Sequence, residues 1–261
     1  MVIFFMKILI TGARSGIGYE VALVLSEMNH KVYLTCHTKK EVLYLRKKLR
    51  NYKNIYVFKL DITSEEDRLK VLDLDIDVLV NNAAIAQGGS IIEADIDKVR
   101  NNFEVNIFSS FRLLQIVIRQ MIKKKNGRIV VISSLAGLIS IPFLGIYSAT
   151  KAGIISLTSA LQKELSLINC DVDVVLIEPG IYRTGFNNLF LDNKYDNGKY
   201  FKKIKNKLYK IERFILNKTE KKNLDSVVIK IVRAVTDKKP KKVYKVPFYE
   251  ALLVKIYGLF K

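Results

Sequence analysis

Short apolar runs recur along the chain, separated by longer stretches in which apolar residues return at helical spacing. The runs are Lys7–Thr11, Val32–Cys36, Ile55–Lys59, Val78–Asn81, Gly127–Ser133, Val172–Glu178 and Lys242–Val246. Their shortness and β-branched content read as strands buried on both faces. Between them, a helical run starts at Tyr19, a two-turn helix fits around Ser64–Leu72, and helices are expected near Phe103–Lys123, Tyr147–Ser166 and Asp225–Thr236. Strand and helix alternate as a parallel sheet with right-handed crossovers requires. The expected fold class is therefore α/β, a doubly wound parallel sheet of about seven strands with helices on both faces, Lys242–Val246 forming an edge strand. Neither a linker nor an internal repeat breaks the pattern, so residues 1–261 read as one domain, a size ordinary for a single α/β unit.

Two motifs add chemistry to this frame. Between the first strand and the first helix lies Thr11-Gly12-Ala13-Arg14-Ser15-Gly16-Ile17-Gly18. Strand, glycine turn and helix together form a phosphate cradle, because backbone without Cβ atoms can approach a pyrophosphate whose charge faces the positive end of the helix. The spacing is Gly-x3-Gly-x-Gly, not the Gly-x-Gly-x2-Gly of the standard dinucleotide fingerprint. The second motif is Tyr147-Ser-Ala-Thr-Lys151, with Ser134 thirteen residues upstream. Four residues apart on a helix, the two side chains share a face. An ammonium beside a phenol is expected to lower its pKa from about 10 toward the range where a general acid works best.

Thr11-Gly12-x3-Gly16-x-Gly18, Asn81-Asn82-Ala83, Asn106, Ser134, Tyr147-x3-Lys151 and Pro179-Gly180, in this order, resemble the short-chain dehydrogenase/reductase family over roughly residues 7 to 246. Each motif is common and their joint order is specific. Ala84 stands where the family usually has glycine, and the stretch from Asp61 to Asn81 is short for the family. The resemblance implies a Rossmann-like fold and a carbonyl–alcohol oxidoreductase working by hydride transfer with a nicotinamide cofactor. By the same resemblance Tyr147 is the general acid of reduction, Lys151 lowers its pKa and binds the cofactor ribose, Ser134 donates to the substrate oxygen, and Asn106 holds a water linking Lys151 to solvent. Gly12, Ser15, Ile17 and Gly18 would surround the pyrophosphate, Asp61 and Ile62 the adenine, Asn82 and Ala83 the ribose, and Gly180, Ile181 and Thr184 the nicotinamide. The residues themselves leave structural roles open: Ser134 as a turn cap, Asn106 at a helix kink, Lys151 as a surface charge, and Asp61 as a cap for the helix near Ser64.

The end of the second strand bears on cofactor choice. An acid there binds the ribose 2′-hydroxyl and repels a 2′-phosphate. Here the residues are Cys36-His37-Thr38-Lys39-Lys40, with no acid before Glu41, and Arg14 adds a cation able to fork onto a phosphate. NADP(H) is the expected cofactor, with NAD(H) left open.

Composition narrows what else is open. The chain is 49% hydrophobic with two cysteines and two histidines. Cys36, Cys170, His30 and His37 make neither a disulfide framework nor a metal pattern, so no metal is expected. Val2–Met6 is too short an apolar run before Lys7 for a secretory signal, and a cytoplasmic protein is expected. The segment from about 185 to 223 falls where this family places a variable lid, and Phe186, Leu189, Phe190, Leu191, Tyr195, Tyr200 and Phe201 suit an apolar cleft. The net charge is +19, and residues 199–261, with 19 Lys/Arg against 5 Asp/Glu, carry +14 of it. That end, with a terminal extension from about 247 that suits a short amphipathic helix, points to an anionic membrane surface or an acidic carrier protein, and nucleic acid is not expected. A homo-oligomer, dimer or tetramer, is expected. The functional alternatives are a 3-oxoacyl-carrier-protein-type reductase and, from another class, a non-catalytic NADP-binding regulator or a peripheral membrane-binding protein.

Overall fold

The computed structural model of the protein describes residues 5–193 and 199–259. Seven strands, β1 (Lys7–Ile10), β2 (Lys31–Cys36), β3 (Ile55–Lys59), β4 (Val78–Asn81), β5 (Gly127–Ile132), β6 (Val172–Pro179) and β7 (Val243–Val246), form one parallel sheet in the order β3-β2-β1-β4-β5-β6-β7. Ile8 of β1 pairs with Val32 on one side and Val78 on the other, so the winding reverses at β1. In such sheets the crevice for a ligand opens beyond the carboxyl ends of the strands at that reversal.

Alternation along each strand sorts its side chains onto the two faces. Ile8, Ile10, Val78, Val80, Val130, Ile132, Val175 and Ile177 join one core, built with α1 (Gly16–Glu27), α2 (Lys39–Lys48) and α9 (Asp225–Thr236). Leu9, Leu79, Ile129, Val131, Val174 and Leu176 join the other, built with α5 (Ser110–Lys124) and α6 (Gly145–Leu167). Burial on both faces explains why the strands read as unbroken apolar runs, and each fully buried Ile, Leu or Val contributes about 1.5–3 kcal/mol against solvent exposure.

The remaining helices are α3 (Glu65–Leu69), α4 (Ile96–Phe103), α7 (Phe186–Asn193), α8 (Lys205–Thr219) and α10 (Phe248–Leu259). Two expected helices differ in the structure. The run near Phe103–Lys123 is α4, a π-helical segment over Glu104–Ser109, and then α5. The two-turn helix around Ser64–Leu72 is α3 followed by a 3-10 turn over Lys70–Leu74, with Ser64 as its N-cap accepting from the Asp67 amide at 3.3 Å. Apolar periodicity is blind to a single inserted residue, which shifts the ladder without removing the apolar face. Among the described residues, no helix is long and apolar enough to cross a membrane.

Candidate active site

The glycine turn between β1 and α1 is held from three sides. The Ala13 amide donates to the Thr35 carbonyl of β2 at 3.0 Å. The Thr11 hydroxyl accepts from the amides of Asn82 (2.9 Å) and Ala83 (3.0 Å), and the Asn82 side-chain amide donates to the carbonyls of Thr11 (2.9 Å) and Gly12 (3.1 Å). Gly12 sits at φ +61°, and a Cβ there would lie 2.7 Å from the Ala83 Cα. Only glycine permits that approach. Ser15 precedes α1 in extended conformation, and its side chain makes no cap hydrogen bond. The first amides of α1 thus lack the side-chain acceptor that usually satisfies a helix start, and the opening suits an anion. A dinucleotide pyrophosphate fits that donor set. The Asn82 side chain both braces the turn and lines it, its nitrogen lying 2.8 Å from where a Gly18 Cβ would stand.

At the ends of β2 and β3, His37 Nδ1 lies 3.7 Å from Asp61 Oδ1. Asp61 also accepts from the amide and hydroxyl of Thr63, at 2.9 and 2.7 Å. Partial burial alone would raise its carboxyl, but the Thr63 bonds and then His37 and Lys59 hold it below the ordinary range. The cap of α3 is Ser64, so Asp61 organises the turn before the helix, not the helix itself. Ile62 is buried in the core beside it, with its carbonyl bonded by Arg68.

Ser134, Tyr147 and Lys151 meet at the end of β5 and the start of α6. Ser134 follows β5 as the cap of a 3-10 turn: its hydroxyl accepts from the Ala136 amide at 3.1 Å and donates to the Pro179 carbonyl at 3.4 Å. Its hydroxyl lies beside the Tyr147 phenol and partly offsets the effect of burial on that group. Lys151 is buried, donates to the Ile132 carbonyl at 3.1 Å, and lies 5.6 Å from the Tyr147 ring centroid. Ser134 is thus a turn cap placed beside Tyr147, and Lys151 is no surface charge.

The expected tuning of the phenol is not what the geometry gives. Burial raises the Tyr147 hydroxyl well above its ordinary value, with the Ser134 hydroxyl only partly opposing it. Burial also pushes Lys151 down to about 8. The lid adds to the cover over Tyr147: Phe190 of α7 packs edge-on at 4.8 Å from its ring, and Phe186 lies at 6.0 Å. Desolvation disfavours the charged form of each group, and here it is the dominant cause of both shifts. Of the other expected cleft residues, Leu191 is buried and Phe201 stacks edge-on to Phe143 at 5.1 Å, while Tyr200 is exposed. Tyr195 and the Leu189 side chain lie outside the described residues.

A family model described as short chain dehydrogenase matches residues 6–194. The chain belongs to that family. It is an oxidoreductase acting on CH–OH or C=O groups, with an NAD(P)-binding Rossmann fold. It is 31% identical over 233 residues to a 3-ketodihydrosphingosine reductase of Bacteroides thetaiotaomicron, covering 86% of this chain and 82% of that protein. A relative at 31% over 254 residues, covering 91% and 86% of the two chains, is an NADPH-dependent 3-dehydrocapnine reductase of Ornithobacterium rhinotracheale. A short-chain dehydrogenase structure from Streptomyces avermitilis superposes with a TM-score of 0.80 at 26% identity, covering 98% of this chain and 93% of that one.

Within this short-chain dehydrogenase, Asn106 sits in the π-helical segment. Its side-chain carbonyl accepts from the Ile85 amide at 2.8 Å, and its amide donates to Ile85 O (3.0 Å), Asn102 Oδ1 (3.2 Å) and Thr150 Oγ1 (3.1 Å). Thr150 in turn donates to the Tyr147 carbonyl at 2.8 Å. Asn106 thus ties the kink to the turn of α6 that carries Tyr147, and its side-chain hydrogen bonds go to Ile85, Asn102 and Thr150 and not directly to Lys151. Across the cleft Thr184 packs on the glycine turn, its Cβ 2.9 Å from where a Gly16 Cβ would stand, and its hydroxyl accepts from the Phe186 amide at 3.3 Å.

Two carboxylates escaped the sequence reading as site groups. Glu41 closes a capping box with Thr38, accepting from the Thr38 amide at 3.1 Å, and its other oxygen lies 3.4 Å from Arg14 Nε. Glu250 of α10 accepts from the Ile181 amide at 3.2 Å, and a Cβ on Gly180 would collide with its carboxylate. The Glu41 pairing has a local signal, Thr-x2-Glu before a helix. Glu250 has none, since 69 residues separate it from Ile181. Among the described residues, no group of acids, histidines and cysteines could hold a metal.

Proposed function

We propose that the protein is an NADP(H)-dependent reductase of a ketone or aldehyde borne on an apolar chain. The observation that carries this reading is the convergence of Ser134, Tyr147 and Lys151 under the aromatic wall of Phe186 and Phe190. Bound along the turn from Gly12 to Gly18, the cofactor supplies the hydride. Tyr147 keeps its proton at neutral pH, because burial raises its phenol, and donates it to the carbonyl oxygen as negative charge develops there. Ser134 donates a second hydrogen bond to that oxygen. Lys151 stands behind Tyr147 with its ammonium held by the Ile132 carbonyl, and stabilises the phenolate left after proton transfer. Asn106 is a positioning residue, holding α6 through Thr150.

Arg14, Ser15, Ile17, Gly18, Ala83, His37, Asp61 and Ile62 are assigned to the phosphate and adenosine end, and Gly180, Ile181 and Thr184 to the nicotinamide end. Support for NADP(H) is electrostatic. Glu41 is the acid nearest the end of β2, and its carboxylate is engaged by the Thr38 amide and Arg14, so it is not free to bind a 2′-hydroxyl. The NADPH dependence named for one relative agrees. An acyl substrate on an acidic carrier protein is the second reading, favoured by the charge of residues 199–261.

The test is NADPH and NADH oxidation over ketones and aldehydes of increasing chain length. NADPH is expected to exceed NADH in kcat/KM, the ratio to rise with chain length, and Arg14→Ala to narrow the cofactor gap. An NADH preference overturns the cofactor assignment, and absence of turnover across the series overturns the enzyme reading.

A further inference from the structure

Helix α8 buries none of its fifteen residues. One side rests half-buried on the protein through Leu208, Tyr209 and Leu216, and α8 packs against the lid helix α7. Apolar side chains are also open to solvent: Ile204, at the N-cap, is 44% exposed, Ile211 45%, Ile215 51% and Phe214 64%. Ile204, Ile211 and Ile215 share a face with half-buried Leu208 and so border the packed side, while Phe214 stands on the outward side. Lys207, Lys210 and Lys218 fall on the same outward sector, and Lys218 Nζ sits 5.9 Å from the Phe214 ring. A helix needed only to cover the lid would carry polar residues there. From Lys199 to Lys222 the chain has ten Lys/Arg against two Asp/Glu, so the stripe lies in a strongly positive field.

The position of the stripe connects it to the cleft. α7, between the nicotinamide loop and α8, lays Phe186 and Phe190 on Tyr147. The facing rim exposes Ile91 and Ile92, and Glu93 next to them accepts from the Tyr200 amide at 2.7 Å, joining that rim to the segment before α8. Beyond the far end of α8, Lys221 lies 4.6 Å over the ring of Tyr249, whose helix α10 exposes Phe248 and Leu252.

We propose that α8 is an interfacial helix that docks the protein on an anionic lipid bilayer, with α10 extending the same surface. At 15 residues and 1.5 Å per residue it is about 22 Å long, which suits lying in the interface and is short for a span. Isoleucine and phenylalanine enter the acyl boundary while interleaved lysines reach the headgroups, an arrangement that a compact acidic protein groove would not accommodate as well. The occupant is therefore a bilayer. The consequence for substrate rests on the proposed function: docking places the lid against the phase in which an apolar ketone is dissolved. The docking itself does not depend on that reading.

Flotation of the full chain with vesicles of pure phosphatidylcholine, or with 30% phosphatidylglycerol, tests it. The protein is expected to float with the anionic vesicles at low salt and to dissociate as salt rises past the Debye screening of its lysines. A triple substitution, Ile211→Asp, Phe214→Asp and Ile215→Asp, is expected to weaken anionic binding at least tenfold with an unchanged thermal melt. Lys207→Gln, Lys210→Gln and Lys218→Gln, which keeps the apolar stripe, should abolish the dependence on phosphatidylglycerol. Failure of the parent protein to float overturns the proposal. So does triple-variant binding equal to the parent's, or a triple variant whose sedimentation changes from oligomer to monomer, which would assign the stripe to a second copy of the chain. Vesicle binding without any carbonyl turnover would leave docking standing and refute only the enzymatic reading.

Discussion

Helices α6 and α8 are both long, and their sequences answer to different neighbours. α6 buries Ile146, Tyr147, Ser148, Thr150, Lys151, Ile154, Thr158 and Leu165, so polar and charged groups lie among apolar ones on its inner face. The buried polar groups are the ones assigned to the proposed chemistry: Lys151 and Thr150 each have a defined hydrogen-bond partner, and Tyr147 meets Ser134. α8 inverts this, with nothing buried and four apolar side chains partly open to solvent. The contrast follows the edge of the family match, which ends at residue 194. Inside it, packing against the sheet constrains each position. Beyond it, α8 buries none of its residues, whereas α9 again buries Val227, Val228, Ile231, Ala234 and Val235.

The largest expected effect is at the inner face of α6. Tyr147→Phe is expected to lower kcat by about 10²–10⁴ while cofactor affinity and the melting temperature stay near the parent's, because only the proton donor is lost. Turnover within tenfold of the parent would remove Tyr147 from the mechanism.

Next comes a direct contrast in stability. Ile231→Ala on α9 removes a fully buried side chain and should cost about 2–5 kcal/mol, whereas Phe214→Ala on α8 should fall within about 0.5 kcal/mol. Denaturant unfolding of both variants measures it, and a cost above 2 kcal/mol for Phe214→Ala would mean that α8 has an internal partner.

Proton linkage separates the two helices a third way. Burial holds Lys151 at about 8 in the free protein, so its ammonium is lost above that pH. For reduction, kcat/KM should decline about tenfold per pH unit above roughly 8, and Lys151→Met should lower the plateau and remove that limb. The stability sign is opposite. Between about 8 and the ordinary lysine value the unfolded chain binds the extra proton, so folding stability rises with pH across that window. A flat rate profile from pH 7 to 10 would refute the role of Lys151.

The smallest expected effect tests how far the terminal helix reaches into the site. Glu250→Ala removes the acceptor of the Ile181 amide and should raise the cofactor KM about 3–10-fold, in line with about 0.5–1.5 kcal/mol for one hydrogen bond, with kcat little changed. Glu250→Gln keeps an acceptor oxygen and should recover most of the loss. An unaltered cofactor KM in both variants would separate α10 from the nicotinamide loop.

Much of the fold was legible because it rests on short-range regularities. Apolar runs of strand length marked all seven strands to within a residue or two, and the Gly12–Gly18 turn and the Tyr147–Lys151 spacing are local statements about backbone approach and a shared helix face. The sequence also announced a charge concentrated after Lys199. Its position on a helix outside the core was not announced, because the periodicity of α8 is amphipathic on either reading and only the packing says which face is turned inward. The raised phenol of Tyr147 and the lowered ammonium of Lys151 were decided by burial, to which Phe186 and Phe190, packed on Tyr147 from a helix some forty residues downstream, contribute at the phenol. The engagement of Glu41 with Arg14, and of Glu250 with the loop at Gly180, belongs to the same class. Local pattern follows from the geometry of one strand or one helix, whereas desolvation and ion pairing depend on which distant side chain the chain's winding sets within a few ångström.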